Sequence, residues 1–90
     1  MFSYKNIVNK LIENNLSISV AESCTGGQLS HYLTNIEGIS KIFNMGLVTY
    51  SNNSKNTILN IPNNIIKDYG SVSKEVAELM CINLYKISKS

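Results

Sequence analysis

Apolar residues return at helical spacing near the start of the chain, with Tyr4, Ile7, Val8, Leu11 and Ile12 on one side and Lys5, Asn6, Asn9 and Lys10 on the other. That period predicts an amphipathic helix, and Asn14-Asn15 is a suitable stop because asparagine tolerates the left-handed conformation of a helix end. In "LSISVAES" the period changes to two: Leu16, Ile18 and Val20 alternate with serines and alanine, which predicts a strand running into Gly26-Gly27. Leu29, Tyr32, Leu33 and Ile36 restore the helical period as far as Glu37-Gly38, and the short "ISKIF" segment is compatible with a further helical turn. "NMGLVTYS" is a mostly apolar run, predicting a second strand buried on both faces and ending at Tyr50-Ser51-Asn52-Asn53. Asn53 or Ser54 is expected to cap a short helix, "KNTILNI", and Pro62 to open another that stops at Gly70. Ser73 is the expected cap of a last helix, with Glu75 in its positive first turn and Val76, Met80, Leu84 and Ile87 along one face.

The resulting order is α-β-α-β-α-α, the fold class α/β, and the expected architecture a partial three-layer α/β/α arrangement with a parallel sheet. A strand-helix-strand crossover is right-handed and makes its strands parallel, so both polar strand ends fall on one edge of the sheet. Ligands of open α/β sheets bind beyond that edge. Ser23 and Tyr50, far apart in sequence, are thereby expected to face one crevice.

Composition narrows the function classes. The 90 residues make a single domain, expected over 1–90, and 43% hydrophobic content with 16% charged residues is that of a soluble globular chain. No apolar run approaches the roughly 18 residues of a membrane span, so no membrane association is expected. The net charge of +2 rests entirely on lysines scattered from Lys5 to Lys89. With no arginine forks and no basic stripe, nucleic acid is not an expected partner. The N-terminus lacks the pattern of a signal peptide and the two cysteines form no disulfide framework, so a reducing cytoplasm is the expected compartment. One histidine, His31, and no C-x-x-C pair give no basis for a metal, and no cofactor is expected.

The candidate chemistry concentrates in "AESCTGGQLS". Thr25, Gly26 and Gly27 at a helix start would offer backbone N–H groups and close approach to a phosphate or an oxyanion; the same residues also make an ordinary cap and tight turn. Ser23 is a candidate nucleophile. His31 lies inside the following helix, so a histidine triad is not favoured, whereas Lys55 beside Tyr50 supplies another base, because a lysine desolvated in a crevice can take a proton directly or through a tyrosine hydroxyl. The plain alternatives are an edge aromatic for Tyr50 and a surface charge for Lys55. Neighbouring strand residues point to opposite faces, so Cys24 is expected to be a small buried filler; Cys81 is expected in the core of the last helix. Glu22 is expected to orient Lys55 or to bond nearby backbone; the plain alternative is an ordinary strand-end carboxylate. The S-x-x-K of Ser71 to Lys74 is discounted, since Ser73 serves as the cap.

Taken together, "AESCTGG", "GLVTYSNNSK" and "GSVSKEVAELM" resemble, in order and spacing, the C-terminal domain of the CinA family of competence- and damage-inducible proteins, whose characterised members are nicotinamide mononucleotide deamidases. The resemblance runs from about Ser19 to about Leu84. It implies an amidohydrolase that converts nicotinamide mononucleotide and water to nicotinate mononucleotide and ammonia, with Ser23 as nucleophile, Tyr50 and Lys55 as the proton-transfer pair, and Thr25, Gly26 and Gly27 against the substrate. It also implies that this is a truncated CinA C-terminal-like domain, because family domains run to about twice the length and continue into a glycine-rich segment and further strands. Ser71 and Cys81 stand where the family usually has alanine. An open sheet edge invites pairing with another chain, so a homo-oligomer or a complementing chain is an expected partner beside the small nucleotide substrate. The alternative reading is a non-catalytic nucleotide-binding or interaction remnant that needs a partner to complete its sheet.

Overall fold

The computed structural model describes residues 3–90, so Met1 and Phe2 of the expected domain lie outside the described residues. The element order is α1 (Tyr4–Glu13), β1 (Ile18–Glu22), α2 (Gln28–Thr34), a 3₁₀ turn (Ile39–Lys41), β2 (Phe43–Val48), α3 (Asn52–Leu59), α4 (Asn63–Tyr69) and α5 (Lys74–Ser88). The expected α/β class and parallel sheet are observed, but the order is α-β-α-β-α-α-α, one helix more than α-β-α-β-α-α, because Pro62 and Gly70 separate three distinct helices after β2. β1 and β2 pair in parallel, with Ser19 opposite Met45 and Glu22 opposite Val48, and a register shift between Ile18 and Ser19.

Alternation along β1 divides the core into two layers. Val20 points into a cluster with Val8, Leu33, Ile39 and Ile42, against which Tyr4, Leu11 and Leu29 pack. On the other side Ala21, Met45 and Leu47 pack on Leu59, Ile61, Ile66, Val76, Met80 and Leu84. Helices α1 and α2 therefore cover one face of the sheet, and α3, α4 and α5 the other. Burying each such aliphatic side chain contributes about 1.5–3 kcal/mol.

Local chemistry explains most element ends. Ser3, Ser51 and Ser73 cap α1, α3 and α5, accepting from the amides of Asn6, Ser54 and Val76 respectively. Asn15 follows α1 with a left-handed φ of 54°, as the asparagine pair predicts. Two expectations are corrected here. α3 starts two or three residues earlier than the Asn53 or Ser54 cap implied, because the hydroxyl of Ser51 accepts from the Ser54 amide at 3.0 Å. β2 is not buried on both faces: Asn44, Gly46 and Val48 are exposed while Phe43, Met45 and Leu47 are half-buried. With two strands in the sheet β2 is an edge strand, and the α1–α2 layer gathers over β1.

Cys81 is likewise not a core residue. It is exposed on α5, on the flank beside the unpaired edge of β1, while Val76, Met80 and Leu84 turn inward.

Candidate active site

The three buried polar or charged side chains among the described residues, Glu22, Thr49 and Lys55, all lie at or just beyond the C-terminal ends of the two strands. Buried polar groups are costly unless partnered, so their concentration at one edge marks it as more than packing.

Lys55 is placed by α3. Its amide donates to the carbonyl of Ser51 at 3.0 Å, and its own carbonyl accepts from Ile61 at 3.2 Å as the chain leaves the helix. Asn56 and Asn83 hold the helix end, donating to the carbonyls of Ile61 at 2.9 Å and Leu59 at 2.7 Å. Lys55 and Leu59, four residues apart, share the face turned to the sheet, and both are buried. The lysine side chain, 1% exposed, runs under the loop after β2 and ends on Ser23. Its Nζ donates to Ser23 Oγ at 2.8 Å and to the carbonyl of Tyr50 at 2.9 Å. No carboxylate pairs with it among the described residues. A primary amine in hydrogen-bond contact with a serine hydroxyl is the geometry required for direct proton transfer from that hydroxyl.

Tyr50 meets the lysine through its backbone. The ring is 68% exposed, and among the described residues its hydroxyl is hydrogen-bonded to neither Ser23 nor Lys55. The extended loop after β2 turns the side chain outward while aiming the carbonyl at Nζ.

Glu22 fixes the other half of the site. Gly27 occupies the cap position of α2 with a φ of 104° and has no side chain to satisfy the first amides of the helix. Glu22 reaches across to do so: Oε1 accepts from the Leu29 amide at 2.8 Å and from Thr25 Oγ1 at 2.8 Å, and Oε2 from the Ser30 amide at 3.0 Å and Ser30 Oγ at 2.6 Å. Burial pushes its carboxyl up, but the bonds from Ser30, Thr25 and Leu29 outweigh that and hold it down at about 2. Of the readings open to Glu22, it takes backbone bonding, and among the described residues it forms no hydrogen bond or ion pair with Lys55. The positive end of α2 is therefore occupied by this carboxylate instead of standing open. Thr25 is spent on Glu22, and the Gly26 amide donates to the Ser23 carbonyl at 3.0 Å, closing the turn that presents Ser23. Gly26, with a φ of 62°, has nothing within 4 Å of where a Cβ would stand, so the backbone there is open to an approaching molecule. Ser30 was not legible as a site residue from its type. The available signal was a glycine in the cap position, which obliges another side chain to supply the cap.

A cavity of about 400 Å³ opens beside this turn, lined by Ser19 to Ala21 of β1, by Ser23, Cys24 and Leu29, by Ser71 to Ser73, and by Ala77, Met80, Cys81 and Leu84 of α5. Cys24 is exposed in it and is not a buried filler, because β1 ends at Glu22 and strict alternation no longer applies in the turn beyond. Ser23 and Cys24 thus both reach the same hollow.

The family model for the CinA C-terminal domain matches residues 2–90. A CinA-like protein of Prochlorococcus marinus subsp. pastoris is 47% identical over 77 residues, covering 86% of this chain and 18% of the relative. One from Dictyoglomus turgidum is 46% identical over 80 residues, covering 89% and 20%. The crystal structure of a CinA superfamily protein from Escherichia coli superposes with a TM-score of 0.93 at 30% identity, covering 97% of this chain and 51% of its own. The competence/damage inducible protein CihA from Agrobacterium tumefaciens does so with a TM-score of 0.92 at 32% identity, covering 97% and 53%. This chain spans about half the length of those solved relatives and about a fifth of the two curated ones. With the whole described fold shared and the three sequence blocks inside the matched region, the chain belongs to the CinA family through its C-terminal domain.

Proposed function

We propose that the chain carries the nucleophile and base of an amidohydrolase acting on nicotinamide mononucleotide, releasing nicotinate mononucleotide and ammonia. The observation that carries this reading is the 2.8 Å contact between Lys55 Nζ and Ser23 Oγ, made by a lysine buried without a carboxylate partner. The substrate class follows from family membership together with the resemblance of the three blocks.

In this mechanism Ser23 Oγ attacks the carboxamide carbon while Lys55 Nζ takes the hydroxyl proton. The tetrahedral intermediate breaks its C–N bond, and Lys55 returns the proton to the departing nitrogen, which leaves as ammonia. Water then adds to the acyl-serine ester with Lys55 again accepting a proton, the C–Oγ bond breaks as Lys55 returns that proton to Ser23 Oγ, and the product leaves as the nicotinate carboxylate with its acid proton released to solvent. The Tyr50 carbonyl holds Nζ on the serine throughout. The Tyr50 phenol, exposed and outside both the pair and the cavity lining in this structure, reaches the proton path only if the loop after β2 turns it inward on substrate binding. The turn at Thr25, Gly26 and Gly27 borders the substrate, and the backbone at Gly26 lets the nucleotide lie close to the chain.

The test is ammonia release from nicotinamide mononucleotide. Ser23→Ala is expected to abolish it, and Lys55→Met to lower it by about 10²–10⁴-fold at neutral pH while far-ultraviolet circular dichroism stays native. Undiminished release from the serine variant would defeat the assignment. A second reading is favoured by the chain's coverage of only about half of each solved relative: a nucleotide-binding module without turnover. Binding of the mononucleotide in isothermal titration without ammonia release would support it.

A further inference from the structure

Among the described residues, Thr49 carries the one buried side-chain polar atom that has no hydrogen-bond partner, its hydroxyl oxygen. The residue is 2% exposed, so no contact with solvent offsets the cost of leaving that hydroxyl unpaired. Glu22 and Lys55, the other two buried polar residues at this sheet edge, both have partners. A buried orphan of this kind costs folding free energy, which points to a task outside folding.

The strand register gives the direction of the hydroxyl. β1 and β2 pair as far as Glu22 and Val48, and the Thr49 amide donates to the Glu22 carbonyl at 2.9 Å, carrying the ladder one residue further. Ser23 and Thr49 therefore leave the sheet on adjacent strands, about 5 Å apart. Side chains of β2 alternate between the two faces. A Cβ on Gly46 would meet Ser30 Oγ of α2, and Val48 Cγ2 lies 3.7 Å from where a Cβ of Gly27 would stand, so these two residues face the α2 layer. Met45 and Leu47 pack in the opposite layer, with Leu59 of α3 and Val76 of α5. Thr49, held in the ladder by its amide, continues the second set. Ala21 packs in that same layer, and Ser23 meets Lys55 of α3. The orphan hydroxyl thus lies on the face across which Lys55 runs to Ser23.

Lys55 lacks what Thr49 offers. Nζ has two acceptors among the described residues, Ser23 Oγ and the Tyr50 carbonyl, whereas an ammonium carries three N–H donors. When Ser23 attacks, its O–H bond breaks, the Oγ–C bond forms, and Nζ gains both the proton and a positive charge in a buried place. An unmet donor on a buried cation is costly, and an acceptor that is already desolvated needs no reorganisation as the charge develops. We propose that Thr49 is a positioning residue for Lys55: its hydroxyl oxygen accepts the third N–H of the protonated amine and holds Nζ on Ser23. Thr49 itself takes up and gives up no proton. The proposal rests on the serine and lysine reading of the site given above and assigns the third buried polar side chain a part in it.

The test compares Thr49→Val, which keeps the shape and removes the hydroxyl, with Thr49→Ser, which keeps the hydroxyl, in the 90-residue chain. For ammonia release from nicotinamide mononucleotide, Thr49→Val is expected to lower kcat by about 10–100-fold with KM within about twofold, and Thr49→Ser to stay within about threefold of the parent. The urea midpoint of Thr49→Val is expected to equal or exceed that of the parent, since an unpaired buried hydroxyl does not support the fold. A readout free of turnover is exchange of the Lys55 ammonium protons with water, followed by heteronuclear NMR in mildly acid buffer. That exchange is expected to speed at least about threefold in Thr49→Val and to stay near the parent rate in Thr49→Ser. Unchanged exchange in Thr49→Val would overturn the inference whatever the turnover. A lowered urea midpoint would overturn it in favour of a packing role, and a raised KM at constant kcat in favour of contact with substrate. A parent chain that releases no ammonia, with the exchange effect present, would support the contact between Thr49 and Lys55 and count only against the deamidase reading.

Discussion

At the scale of single residues the site is organised by two buried ionisable groups with different tasks. Lys55 ends on Ser23, and Glu22 ends on the start of α2, four hydrogen bonds holding its carboxyl at about 2 against an ordinary value of 4.5. The folded carboxyl is the stronger acid, so its stabilisation is fully present above pH 4.5 and is lost as pH falls toward 2. The shift corresponds to a contribution on the order of 3 kcal/mol. Urea midpoints measured across this range should therefore fall steeply on the acid side, and Glu22→Gln should both flatten that fall and lower stability at neutral pH. The amide fails because its NH₂ would face the donors of Leu29, Ser30 or Thr25 that the carboxylate accepts from. Ser23 and Lys55 were legible as candidates from their place at strand ends. The side chain of Tyr50 was not, because residue order does not say whether the phenol or the carbonyl of a loop residue turns inward.

At the scale of elements the decisive contact is α2 against β2. A Cβ on Gly46 would stand 2.6 Å from Ser30 Oγ and 3.3 Å from Phe43 Cζ, and Ser30 is already committed to Glu22. The glycine is thus a spacing requirement of helix on strand, since its φ is not in the left-handed range. Gly46→Ala should cost about 1–3 kcal/mol by forcing α2 away or breaking the Ser30 bond. Ser30→Ala removes the crowding atom, so the double variant should be more stable than the sum of the single losses predicts, with a coupling of at least about 0.5 kcal/mol in denaturant unfolding. Periodicity in the sequence revealed all the major elements, and the capping serine at 73 is where its chemistry places it. The cap of α3 fell at Ser51 instead of Asn53 or Ser54, because several adjacent residues have the right chemistry and only backbone geometry chooses among them.

For the whole molecule, two apolar clusters sit on opposite faces of a two-stranded sheet and share no buried residue. Val8 and Val76 are fully buried, one in each cluster. Truncating either to alanine should cost roughly 2 kcal/mol, and the two losses should add within about 0.5 kcal/mol, since distant sites without common partners are independent. A clear shortfall from additivity in urea titrations would show that the faces communicate through the sheet. The sequence by itself determined the α/β class, the parallel pairing and the gathering of serine, tyrosine and lysine at one sheet edge, because hydrophobic period and crossover handedness are local properties of the chain. Only the tertiary structure decided which groups meet. Burial of Lys55 against Ser23, capture of the α2 amides by Glu22, and the exposure of Cys24 and Cys81 along an unpaired strand depend on how distant segments pack, and side-chain direction beyond a strand's end follows from that packing.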